Sequence, residues 1–175
     1  RSRLSSTYSG KQNNLREYGM DFLIVNEGFR YLSTLIFFPL AGALVMLLIP
    51  SDTFAKYWAM FITLGAAVLS VPVYQGFDPN TAKYQFGEHL DWISFLNMDI
   101  NYTLGVDGIS LLLVLMTTFI MPLCVLASWK YIKTRVREFM VCLLIMETSM
   151  IGVFVALDFV LFYVLWEAML IPMYL

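Results

Sequence analysis

Charged residues are scarce in this sequence. Only 14% of its 175 residues are Asp, Glu, Lys or Arg, whereas 59% are hydrophobic, and the mean hydropathy is +0.72. Soluble globular domains carry about 25% charged residues, so this composition excludes an ordinary soluble domain. The few charges give a net charge of −2, and most of them lie in separate loops. Apart from one short basic segment at 130–137 they form no basic patch, which leaves nucleic-acid binding without support.

Cysteine and histidine are almost absent, which leaves little material for a metal site or a disulfide. Cys124 and Cys142 both fall inside apolar segments, where small buried hydrophobic residues are the simpler interpretation. The single histidine, His89, has no Cys or His near it in the sequence and is expected to be a surface residue rather than a ligand. Since no Gly-rich phosphate loop is present either, we predict no metal site and no cofactor-binding site in this chain.

Long hydrophobic runs make up most of the chain. Each is close to the length of about 20 residues with which a helix spans a bilayer. They lie near 31–50, 54–75, 109–129, 139–157 and 159–175. We therefore predict an all-α polytopic membrane protein with about five transmembrane helices. Three prolines inside these runs are expected to kink the helices, because each removes one backbone hydrogen bond: Pro39, Pro122 and Pro172.

Two polar stretches lie at the start of the chain and between the second and third runs. Residues 1–19 have neither helical nor strand periodicity, and we predict a disordered extension foreign to the fold, with the membrane domain at 20–175. Residues 76–108 form an acidic loop. Within it, weak alternation in Tyr84–Trp92 and Ile100–Val106 indicates a short hairpin at the membrane surface.

A basic segment joins the third and fourth runs. Four cations lie within eight residues there: Lys130, Lys133, Arg135 and Arg137. The positive-inside rule places this segment on the cytoplasmic side, or on the matrix side of a mitochondrial membrane. The acidic loop and the tight turn near Asp158 are then predicted to lie on the opposite side.

Two carboxylic acids interrupt the apolar runs, Glu147 in the fourth and Glu167 in the fifth. A charge at the centre of a membrane helix costs about 2.5–3.5 kcal/mol even on lenient scales, so such residues usually face protein or water and serve a function. Counted from a turn at 157, with about 1.5 Å per residue, both acids reach a similar depth of about 15 Å. We predict that both are proton-relay residues. The alternative for each is a structural, hydrogen-bonding acid.

Three sequence runs carry a resemblance to a known family. They are L-G-V-D-G-I-S at 104–110, I-G-V-F-V-A-L-D at 151–158 and L-W-E-A-M-L-I-P-M-Y at 165–174. They resemble the antiporter-like membrane subunit M of bacterial NADH:quinone oxidoreductase, whose mitochondrial counterpart is NADH dehydrogenase subunit 4 of complex I. The likeness spans roughly 20–175. It implies the N-terminal fragment of a roughly fourteen-helix fold built on inverted repeats. Glu167 then matches the family's key acid, which pairs with a lysine two helices further on, beyond Leu175.

The resemblance implies a proton-translocating membrane-arm subunit. Such a subunit uses the electron transfer from NADH to quinone to drive proton transport across the membrane. NADH, FMN, the iron–sulfur clusters and the quinone would bind to partner subunits, so this chain is part of an enzyme without redox chemistry of its own. Its expected partners are the other membrane-arm subunits of complex I and the lipid bilayer. Its expected location is the bacterial inner (plasma) membrane, or alternatively the mitochondrial inner membrane. A subunit of a multi-subunit sodium/proton antiporter and a purely structural membrane anchor are the alternatives in other functional classes.

Overall fold

Five helices account for most of the computed structural model, which describes residues 23–25, 30–49, 51–95 and 98–174. The helices are α1 (Tyr31–Leu48), α2 (Asp52–Gln75), α3 (Gly108–Tyr131), α4 (Val136–Val155) and α5 (Phe159–Tyr174). By length and composition α1 to α4 could each cross a membrane, and α5 is a shorter apolar helix of 16 residues. The prediction of an all-α polytopic membrane fold is confirmed. The predicted extension at 1–19 lies outside the described residues.

Short polar residues begin three of the helices. The Ser51 hydroxyl accepts from the Phe54 amide at 3.4 Å before α2, and the Asp107 carboxylate accepts from the Ser110 amide at 2.7 Å before α3. Asp158 accepts from two amides in the first turn of α5, the shorter contact being 2.8 Å. Because these groups satisfy amides that a helix leaves unpaired, the sequence fixes the helix starts locally. The three predicted proline positions lie inside α1, α3 and α5, and each helix continues through its proline.

A β-hairpin closes one end of the helical bundle. Strand β2 (Tyr84–Phe95) pairs antiparallel with β3 (Met98–Val106), which confirms the predicted hairpin. A third strand, β1 (Leu23–Val25), pairs parallel with β2, and the sequence did not indicate it. At the turn between α4 and α5, the Leu157 amide donates to the Thr103 carbonyl at 2.9 Å. The acidic loop and this turn therefore lie at the same end of the bundle.

The hairpin also supplies the cap that α1 lacks. Arg30, at the N-terminal boundary of α1, makes no side-chain cap. Instead the buried carboxylate of Glu88 accepts from the Leu32 amide at 2.8 Å and from the Ser33 amide at 3.2 Å, and it also accepts from the Ser33 hydroxyl. That hydroxyl is 3.0 Å from the Tyr102 phenol, and burial raises the pKa of Tyr102. A buried anion at a helix N-terminus is stabilised by the helix dipole, so the hairpin holds α1 in place.

Two apolar cores fill the bundle, one near the hairpin and one near the basic segment. The hairpin-side core includes Leu35 and Ile36 from α1, Val73 from α2, Leu111 and Val114 from α3, and Ile151 and Val155 from α4. The basic-side core includes Ala43 and Met46 from α1, Ala59 and Ile62 from α2, Met121 and Val125 from α3, and Met140 and Leu144 from α4. Each of the first four helices therefore contributes to both cores. Buried polar residues between these two cores are the candidates for a functional site inside the bundle.

Candidate functional site

Glu147 lies at the centre of the bundle. It follows Leu144 and precedes Ile151 on the face of α4 that packs into the two cores, and its exposure is 0%. Neither carboxyl oxygen has a hydrogen-bond partner among the described residues. Leaving a buried polar group unpaired costs about 1–3 kcal/mol, and more when the group is charged. Such a cost marks Glu147 as a residue whose position is not explained by packing.

The hydroxyl neighbours of Glu147 do not satisfy it. The Thr148 hydroxyl donates to the Leu144 carbonyl at 3.1 Å, and the Ser149 hydroxyl donates to the Ile145 carbonyl at 2.9 Å. Both donors are therefore used within α4 itself, which is a common arrangement for Ser and Thr inside membrane helices. Neither hydroxyl therefore donates to the Glu147 carboxyl group, although both residues follow it directly in the sequence.

Glu167 lies on the exposed surface of α5. Tyr163, one helical turn earlier, is exposed on the same helix, and its phenol is close enough to interact with the Glu167 carboxyl group. The surrounding surface is apolar, and it includes Ile171 at 64% exposure and Met173 at 69%. Since a carboxylate facing lipid is unfavourable, this surface of α5 requires protein or water against it when the chain is in a membrane.

Close packing between α4 and α5 places the two acids at nearby heights. A Cβ at Gly152 would lie 2.8 Å from a methyl carbon of Leu165, so the helices touch at this level. Glu147 lies five residues from Gly152, and Glu167 lies two residues from Leu165, both away from the turn. At about 1.5 Å per residue, the two levels differ by about 4.5 Å along the bundle. The two carboxyl groups are nevertheless not hydrogen-bonded, and one is buried while the other is exposed.

Lys56 and His89 lie apart from the two acids and have other contacts. The Lys56 ammonium group of α2 donates to the Trp129 carbonyl at 2.7 Å, so it caps the C-terminal end of α3 near the basic segment. His89 is partly buried, and its Nδ1 atom is 2.9 Å from the Thr103 hydroxyl. Within the described part of the chain, no three His, Cys, Asp or Glu residues are grouped as a metal site would require. Sequence reasoning missed the capping roles of Lys56 and Glu88, which depend on contacts between distant segments.

Comparison with known proteins identifies the family. Residues 32–153 match the family model described as NADH-ubiquinone oxidoreductase chain 4, amino terminus. The chain is 45% identical over 150 residues to NADH-quinone oxidoreductase subunit M of Rhodobacter capsulatus, covering 82% of this chain and 28% of that protein. It is 41% identical over 149 residues to NADH-ubiquinone oxidoreductase chain 4 of Mycosarcoma maydis, covering 82% of this chain and 30% of the relative.

A third relative has a different electron donor in its name. F(420)H(2) dehydrogenase subunit M of Methanosarcina mazei is 37% identical over 142 residues, which is 81% of this chain and 28% of the relative. The chain thus spans less than a third of the length of these three relatives. With its apolar helices, it is an integral membrane protein of the bacterial or mitochondrial inner membrane. The chain belongs to the NADH-ubiquinone oxidoreductase chain 4 family.

Proposed function

We propose that this chain is part of a proton-translocating membrane-arm subunit of NADH:quinone oxidoreductase, and that Glu147 and Glu167 are two of its proton-relay residues. The observation that carries the proposal is the Glu147 carboxyl group. It is fully buried in a helix long enough to cross a membrane, and neither oxygen is hydrogen-bonded within the described residues. A structural acid would be expected to use its oxygens for hydrogen bonds, whereas a relay acid needs them available to exchange a proton.

Glu167 meets a different requirement of a relay. Its exposed carboxyl group can be approached by a charged group on whatever covers α5, such as the lysine that the family resemblance implies. An approaching cation stabilises the carboxylate and releases its proton, whereas withdrawal of the cation favours the protonated acid. Moving one charge by a few ångströms in a medium of low dielectric constant is therefore enough to load or discharge this site.

The electron donor is proposed to bind outside this chain. Relatives named for NADH and for F420H2 both match more than 80% of it. Residues shared with both relatives are unsuited to selecting between two different donors. We therefore assign NADH, FMN, the iron–sulfur clusters and the quinone to partner subunits, and we assign to this chain only the movement of protons.

The experiment is to replace each acid by Gln in the full-length subunit of the assembled complex, reconstituted into vesicles. Gln keeps the size of Glu and its hydrogen-bonding capacity but cannot cycle a proton. We expect Glu167→Gln to lower proton translocation severely and Glu147→Gln to lower it more mildly. NADH-driven quinone reduction should fall with translocation if the two are tightly coupled. The rate of proton translocation and the rate of NADH oxidation are therefore measured separately in each variant.

A matched control is available on α4 itself. Glu138 is 60% exposed and lies 3.7 Å from Arg135 at the basic end of the helix. Since an exposed pair of this kind contributes little, Glu138→Gln should pump like the wild type. Wild-type pumping by both Glu167→Gln and Glu147→Gln would reject the relay and leave a structural anchor. Transport that depends on sodium would instead favour the sodium/proton antiporter alternative.

A further inference from the structure

One buried hydroxyl pair, Ser70 and Thr118, lies between the two apolar cores, as Glu147 does on α4. On α2, Ser70 falls between Ile62 of the basic-side core and Val73 of the hairpin-side core. On α3, Thr118 falls between Val114 and Met121 in the same way. Ser70, Thr118 and Glu147, each at 0% exposure, are here termed the polar layer.

The helical spacing shows that Thr118 and Glu147 face the interior, and Ser70 is hydrogen-bonded to Thr118 there. Thr118 continues a stripe of buried α3 residues at spacings of three and four: Leu111, Val114, Thr118, Met121 and Val125. Glu147 continues the corresponding stripe on α4: Met140, Leu144, Glu147, Ile151 and Val155. Residues at these spacings share one face of a helix. Since these stripes join the same two cores, the polar layer is a single zone inside the bundle.

The hydrogen bonds of the layer leave acceptor positions available. The Thr118 hydroxyl lies 3.2 Å from the Ser70 oxygen and 3.0 Å from the Leu115 carbonyl, and the Ser70 hydroxyl donates to the Ala67 carbonyl at 2.7 Å. A hydroxyl oxygen has two lone pairs, so the pair can still accept from a further donor. The Glu147 carboxyl group lies between the same two cores, and its oxygens make no hydrogen bond to this pair or to any other described residue.

We propose that Ser70, Thr118 and Glu147 together hold water inside the α1–α4 bundle, and that Glu147 exchanges its proton with this water. A buried water molecule typically makes about three hydrogen bonds to polar groups that are otherwise unpaired, and the layer offers such groups. In the exchange, a hydronium ion gives its proton to the Glu147 carboxylate, leaving water and a neutral carboxyl group. The reverse step returns the proton.

This inference rests on the relay role proposed for Glu147, and it adds where that proton is exchanged. Glu167 lies on the exposed surface of α5, whereas the polar layer is enclosed by α1 to α4. The layer therefore gives Glu147 a proton-exchange site that does not require Glu167. Ser70 and Thr118 are positioning residues in this scheme, because they act by holding water.

The test uses the full-length subunit in the reconstituted complex with Thr118→Val and, separately, Ser70→Ala. Thr117→Val is the matched control, because Thr117 is also buried, lies off the stripe and donates to the Leu113 carbonyl at 2.8 Å. Two readouts are taken: the rate of proton translocation, and the infrared carbonyl stretch of protonated Glu147. Loss of a band in Glu147→Gln assigns that band to Glu147.

We expect translocation to fall about fivefold in Thr118→Val, the equilibrium effect of one neutral hydrogen bond. Ser70→Ala should act in the same direction, and Thr117→Val should match the wild type. The Glu147 carbonyl band should move to higher frequency in Thr118→Val, because the carboxyl group loses hydrogen bonding through water. Wild-type translocation and an unshifted band in both variants, with translocation lowered in Glu147→Gln, would overturn this inference alone. Wild-type translocation in Glu147→Gln would overturn it together with the relay role of that acid.

Discussion

Replacing Glu88 tests whether the hairpin holds α1. In Glu88→Ala, the amides of Leu32 and Ser33 lose the acceptor that lies 2.8 and 3.2 Å away. Each unsatisfied buried amide costs about 1–3 kcal/mol, and loss of the carboxylate at the helix N-terminus adds about 0.3–1 kcal/mol. Because Ser33 is only partly buried, we take the lower part of these ranges, a total of about 3 kcal/mol.

Hydrogen–deuterium exchange of the peptide that contains these two amides is the direct assay. A loss of about 3 kcal/mol in local stability corresponds to exchange about 100-fold faster, since each 1.4 kcal/mol is a factor of about ten. Glu88→Gln keeps one carbonyl acceptor and loses the charge, so it should accelerate exchange by about fivefold, for about 1 kcal/mol. Tyr102→Phe is the control, because it removes only the phenolic hydroxyl group, which lies 3.0 Å from the Ser33 hydroxyl. Unchanged exchange at both amides in Glu88→Ala would refute the reasoning.

Three further predictions follow from the packing, the caps and the charges. Gly152→Val should destabilise the fold by about 1–3 kcal/mol through overpacking, because a Cβ at this position would already lie 2.8 Å from Leu165 of α5. The thermal unfolding temperature in detergent should fall accordingly, and an unchanged temperature would contradict the close packing of α4 and α5. A backbone hydrogen bond from Ser110 holds the pKa of Asp107 below its ordinary value of 3.8. Protection of the amides at the start of α3 against hydrogen exchange should therefore be lost as the pH falls below 3.8. This loss should be smaller in Asp107→Asn, whose side chain does not titrate. Cysteines introduced at the exposed residues Lys83 and Thr134 should react with an impermeant reagent from opposite sides of the membrane, and labelling of both from the same side would reject the predicted five-helix topology.

The local sequence determined the helices and their starts. Hydrophobic runs of membrane-spanning length predicted all five helices to within about three residues at each boundary. The hairpin was also foreseen, because alternation and turn residues act over short distances. Strand β1 was not, since three residues pairing with a strand some 60 positions later leave no periodic signal of their own.

The candidate acids were visible in the sequence for an energetic reason. A carboxylic acid within an apolar run is unfavourable in a membrane, so Glu147 and Glu167 stood out without any structure. Their environments could not be predicted, because the side of a helix that becomes buried depends on its neighbours. The structure encloses Glu147 among α1 to α4 and leaves Glu167 on the surface of α5.

The remaining functional features depend on contacts between segments far apart in the chain. Glu88 was one acid of an acidic loop until the fold brought it to the first turn of α1, 56 residues away from Leu32. Ser70 and Thr118 are small residues of apolar helices that nothing in the sequence singles out. Packing of α2 against α3 places their hydroxyl groups within hydrogen-bonding distance of each other. The sequence by itself determined which residues are costly to bury and where helices begin and end, because those properties are local. Only the tertiary structure decided which polar groups meet, because that depends on how the helices pack.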